Sequence, residues 1–204
     1  MKKSQQIMST FDRKEYLVRS SKPHFNEALV AVVIQLQMET ARWAVCPYES
    51  FRSNGSIYAR MWEKCGHSTV NNRLLLSVLI TPDGKSIRCI GVEAEHLYEE
   101  LEENDEHSQF YYFRNIVLKL LKAFKENSDI QLQDENGKTL PALTVFTLLL
   151  NFFINDIQER AKEYRETDKH YVLVVPEMFQ VVGAIDFIRK SALEVRNNAF
   201  PSRV

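Results

Sequence analysis

Ala28 to Val45, ALVAVVIQLQMETARWAV, is the stretch whose reading decides the fold. Ala28 to Leu36 is a short apolar run rich in valine, the pattern of a strand buried on both faces. Thr40 to Val45 can run back beside it, with Trp43 and Val45 on one face. Gln35 to Glu39 then forms a tight connection between two paired strands of an α/β domain. What that connection can hold bears directly on function.

The runs on either side extend the same plan. Leu74 to Ile80 is apolar and β-rich, Thr81-Pro82-Asp83-Gly84 supplies a turn, and Ser86 to Gly91 returns, which predicts a hairpin. Val92 to Glu106 reads as a helix with a narrow apolar stripe of Ala94, Leu97, Tyr98 and Leu101, its many acids on the solvated side. No calcium-loop spacing accompanies those acids. Phe110 to Phe124 reads as a second helix, with Phe113, Ile116, Val117, Leu120, Leu121 and Phe124 on one face. Asp134 to Gly137 is a turn after an extended piece at 130–132. Pro141 to Tyr164 is a long helix, apolar on nearly every side over 142–154, so it must be covered on more than one face. His170 to Pro176 is a buried strand that Pro176 ends, and Phe179 to Arg196 is a closing helix broken at Asn197 to Pro201. The order gives a mixed sheet flanked by helices.

Composition narrows the function classes. The chain has 204 residues, 45% of them hydrophobic, and a formal charge of -1. Mean hydropathy is -0.30. Such a balance gives no global field toward nucleic acid or an anionic membrane, and Arg114 with Lys119 are too few for a basic patch. The 142–154 run is too short to span a bilayer. The three cysteines, Cys46, Cys65 and Cys89, lack paired spacing, and no secretion signal is evident, so reduced thiols and a cytoplasmic location are expected. Cys65-Gly66-His67 lacks the ligand pairs of a zinc site, and no metal is expected. Residues 1–27 read as a polar leader with a helical turn near Asp12 to Val18, 28–196 as one lobe, and 197–204 as a tail.

Taken together, IQLQMETARWAV, ITPDGKSIRCIGVEAE, the YYFR segment and YVLVVPEMF with its following helix resemble the 70-kDa heat-shock protein superfamily, in its divergent 12A-like branch. The likeness covers about 28–196. It implies the first lobe of an actin-like ATPase domain, with a ribonuclease-H-like mixed sheet and with the second lobe absent from the chain. In the family, the first strand ends in an Asp-Phe-Gly-Thr-Thr phosphate loop, where the Asp helps hold hydrated magnesium and the Gly admits backbone N–H groups to the phosphates. Those positions fall on Gln35, Leu36, Gln37, Met38 and Glu39, followed by Thr40, which alone keeps a hydroxyl. Gln35 brings no charge to magnesium, and Gln37 has a Cβ where the loop wants none. A carboxylate at Glu39 about 4 Å from a phosphate charge would cost on the order of 1 kcal/mol in water, and several times that in a partly buried site. Pro176 falls on the family's Val-Pro step, which couples nucleotide state to a partner domain; a plain strand terminator is the equal alternative. In the family the second phosphate loop lies beyond the first lobe, and this chain has no Gly-rich run.

The resulting expectation is a truncated, degenerate nucleotide-binding domain without catalytic residues, with ATP and magnesium implied by the family but weak or lost. It would act through a protein partner on the apolar faces of helices 142–154 and 179–196. Retained nucleotide binding, alone or with a partner lobe, is the alternative. A third reading is a metal or redox module using Cys46, Cys65, His67 and Cys89.

Overall fold

A computed structural model describes residues 15–18, 30–47, 74–126, 130–182 and 184–199. The quoted stretch forms the centre of the main sheet: β2 (Val30–Leu36) and β3 (Thr40–Pro47) pair antiparallel through a tight turn. β10 (Lys169–Pro176) lies parallel to β2 on its other side. β1 (Glu15–Val18) and β4 (Leu74–Leu75) form the edges, giving the order β1-β10-β2-β3-β4. The sheet is mixed, as the sequence predicts, because β10 runs parallel to β2 while the other pairs are antiparallel.

The alternation of β2 sets the position of the core. Val30, Val32, Ile34 and Leu36 are buried in it, whereas Ala31 and Val33 are only half-buried. The strand is therefore sealed on one face and partly covered on the other, rather than buried on both. Ala41, Trp43 and Val45 of β3 join the sealed face. Leu74 to Ile80 does not make one strand. Leu74–Leu75 ends the main sheet, and after Leu76-Ser77 the chain enters β5 (Val78–Ile80), the middle strand of a second sheet. There it pairs antiparallel with β6 (Ile87–Ile90) and β7 (Tyr111–Phe113). β5 is buried on both faces: Val78 and Ile80 enter the main core, and Leu79 packs with Cys89, Ala94, Tyr98 and Tyr112 in a second small cluster.

Around these sheets, α1 (Val92–Glu103) lays Ala94 and Tyr98 on the second cluster. α2 (Ile116–Glu126) buries Ile116, Val117, Leu120 and Leu121 in the main core. A hairpin of β8 (Gln131–Gln133) and β9 (Thr139–Pro141) leads into α3 (Ala142–Arg160). α4 (Met178–Val181) and α5 (Ile185–Ala199) close the described chain. α3 and α5 pack together, and Trp43 of β3 donates its indole N–H to Asp156 Oδ2 at 2.9 Å, tying α3 to the sheet.

Several boundaries differ from the sequence expectation. Of the helical turn foreseen near Asp12 to Val18, the described part, Glu15–Val18, is instead the edge strand β1, held by β10; the rest lies outside the described residues. The supposed helix from Phe110 begins as β7, because Tyr111, Tyr112 and Phe113 find an open strand edge on β5; Asn115 then takes φ 51, a left-handed turn that separates strand from helix. The extended piece at 130–132 is half of a hairpin, since Asp134 organises the turn that returns it. The long helix stops at Arg160, and Tyr164 N–H bonds the Ala161 carbonyl at 3.2 Å in a separate turn. The closing helix is two pieces, with Ala184 N–H reaching back to the Phe179 carbonyl at 2.8 Å. Asn197 and Asn198 do not end α5, which runs to Ala199.

The apolar faces expected to await a partner are mostly covered by the chain itself. Val145, Phe146, Leu149, Leu150, Phe153 and Ile157 of α3 are buried, and Leu148, Phe152 and Ile154 pack against the same core. On α5, Ile188 and Val195 are buried and Ile185 and Ala192 half-buried. Among the described residues, the exposed large apolar side chains are Leu118 (36% exposed), Met178 (42%) and Leu193 (48%). No helix of the described residues is long and apolar enough to cross a membrane.

Candidate functional site

Parallel pairing of β2 with β10 brings their carboxyl ends to one end of the sheet, since Gln35 lies beside Val174. The turn after β2 and Pro176 at the end of β10 are therefore neighbours in the fold. The carboxyl end of parallel strands is also where α/β sheets place ligands.

The turn is closed by its own groups. Gln37 N–H donates to the Thr40 carbonyl at 2.7 Å, and the Thr40 hydroxyl donates to Gln37 Oε1 at 3.0 Å. Leu76 N–H takes the Glu39 carbonyl at 2.8 Å, locking the turn to the start of the second sheet. Leu36 is fully buried in the core, and Met38 packs partly against it. Glu39 is exposed. Gln35 is only 3% exposed, and its Oε1 accepts a hydrogen bond from Arg42 Nε on the facing strand. The structure thus places all six positions, Gln35 to Thr40, together with Pro176 at one end, but turns Gln35 inward onto a guanidinium.

The Arg42 partnership escaped the reading of the sequence, although it was derivable. A two-residue turn at Met38-Glu39 puts 34 opposite 43 and 35 opposite 42, which is the register observed. A neutral amide directly across from arginine then suggests an internal hydrogen bond.

A second polar group lies further along the chain from the turn. Ser77, two residues from β4, donates its hydroxyl to Glu95 Oε1 of α1 at 2.7 Å. Arg114 Nε donates to the Tyr112 hydroxyl at 3.0 Å, and burial pushes the Tyr112 phenol up while Arg114 opposes that shift. Tyr98 stacks on Tyr112 with ring centres 4.1 Å apart and donates its hydroxyl to Asn136 Oδ1 at 2.6 Å. Burial, with Glu102 next, raises the Tyr98 phenol as well. Below them Asp134, 4% exposed, accepts backbone N–H bonds from Asn136 (2.9 Å) and Lys138 (2.7 Å) on Oδ1 and from Tyr112 (3.3 Å) on Oδ2. Lys138 Nζ caps the Ser108 and Phe110 carbonyls at 2.7 and 2.5 Å and sits 4.2 Å from the Tyr111 ring centre. Its ammonium is held below the ordinary lysine range, chiefly by burial. No single short motif marks this network, because it joins parts of the chain distant in sequence, from Ser77 to Lys138.

Among the described residues, no group of three or more His, Cys, Asp or Glu side chains is placed to hold a metal ion. Cys89 is buried, and burial raises the Cys46 thiol. Cys65 and His67 of the metal or redox alternative lie outside the described residues.

The described residues form a mixed α/β arrangement of three small sheets and packed helices, in which a hairpin turn and a strand-ending proline share one sheet end. Comparison with known proteins gives that class a particular relationship. Human heat shock 70 kDa protein 12B is 30% identical over 138 residues, 65% of this chain and 20% of that protein. Human heat shock 70 kDa protein 12A is 27% identical over 140 residues, and the mouse protein of the same name 26% over 140. The chain is thus a distant relative of these 70-kDa heat-shock-type proteins, and it spans about a fifth of the length of the curated relatives it matches. No family model matches it.

Proposed function

We propose that this chain is a degenerate first lobe of an actin-like, heat-shock-70-type nucleotide-binding domain that no longer hydrolyses ATP and acts in the cytoplasm through protein contacts. The observation that carries this reading is the self-closed turn. A phosphate-binding turn needs outward N–H donors, a hydroxyl and a nearby carboxylate for magnesium. Here the Gln37 N–H and the Thr40 hydroxyl are spent inside the turn, and the carboxylate position is Gln35, a buried amide bonded to Arg42. Glu39 adds the wrong charge at the exposed rim. These residues do not fit magnesium nucleotide.

The strand hydrophobicity that builds the sheet is retained while the groups that would meet a ligand are replaced. That combination suits a scaffold better than an ATPase. With most of α3 and α5 packed internally, protein contact falls to the exposed apolar side chains Met178, which follows Pro176 by two residues, and Leu193 on α5. Thermal unfolding with and without millimolar magnesium-ATP tests the nucleotide half of the proposal. A ligand at 100 times its Kd stabilises by about 2.7 kcal/mol, a shift of several degrees. No shift is expected, and a magnesium-dependent shift of that size would overturn the reading.

A further inference from the structure

We draw no further inference here: the strongest candidate, the second face of the five-stranded sheet, where Ala31, Val33, Ala44 and Val172 are half-buried, carries nothing because nothing in the structure shows what covers it.

Discussion

Two turns in this molecule use the same materials to different ends. The turn after β2 and the turn between β8 and β9 both join short antiparallel strands and both consume polar groups internally. At the second, Asp134 is sealed and gathers three backbone N–H groups from two elements, so the turn is a joint that fixes the hairpin to β7. At the first, the Thr40 hydroxyl bonds Gln37 and Arg42 bonds Gln35 across the hairpin, and its carboxylate, Glu39, is exposed. Buried charge is therefore invested in holding the small sheet to its hairpin. The turn after β2, by contrast, closes on its own groups.

The sharpest way to break that comparison is to delete the two carboxylates in turn. Asp134→Ala leaves buried N–H donors without partners, each costing about 1–3 kcal/mol. A loss of about 3 kcal/mol is expected in denaturant titration, with amide exchange accelerated first at Tyr112, Asn136 and Lys138. Glu39→Ala is the matched control, and a change within about 0.5 kcal/mol is expected there, as for other surface positions. Equal costs at the two sites would remove the distinction.

Trp43→Phe probes the tie between main sheet and long helix. It removes the indole donor to Asp156, although Arg160 still pairs with that carboxylate at 2.7 Å. The expected cost is about 1–2 kcal/mol, combining a lost hydrogen bond to a charged group with lost packing. No change in the denaturation midpoint would show that Asp156 is held by Arg160 alone.

A smaller effect should appear at alkaline pH. Burial first, then the hydrogen bond to Glu166, pushes the Tyr171 phenol far above its ordinary value of 10.0, and Tyr98 and Tyr112 move the same way. A group whose folded value is raised contributes stability that is fully present below its unfolded value and lost as pH rises through the folded one. The depressed Lys138 acts oppositely, because its unfolded state binds more protons near its ordinary 10.5. Three phenols and the Cys46 thiol, also raised by burial, against one ammonium predict stability that falls from about pH 9 upward. Tyr171→Phe should flatten that fall, as followed by denaturation midpoints at pH 9 to 11; an unchanged slope would mean that Tyr171 ionises no later when folded than when unfolded.

Much of the sheet was legible because burial writes itself as local pattern. The valine run at Val30 to Val33, the Asp83-Gly84 turn and the apolar strand before Pro176 each carry their periodicity within a few residues. Gly84 takes φ 69 as that turn requires. The boundaries that moved were decided by partners remote in sequence. Tyr111 to Phe113 could have continued a helix, and only the open edge of β5 made them a strand. The same holds for Glu15 to Val18, which become a strand by lying against β10. Likewise the apolar helix looked unsatisfied only because its covering residues come from β6, the β8-β9 hairpin and α5. At the candidate site, the residue types at Gln35, Gln37 and Glu39 were plain in the sequence. The use to which Gln35 is put needed the facing strand.

The most direct test of the central claim is calorimetric titration of magnesium-ATP into the natural chain and into a Gln35→Asp/Gln37→Gly variant. The account predicts no heat of binding from the natural chain, whatever the variant does. Heat from the variant alone would locate the loss in the turn. Micromolar, magnesium-dependent binding by the natural chain would contradict the account and return this sheet end to nucleotide recognition.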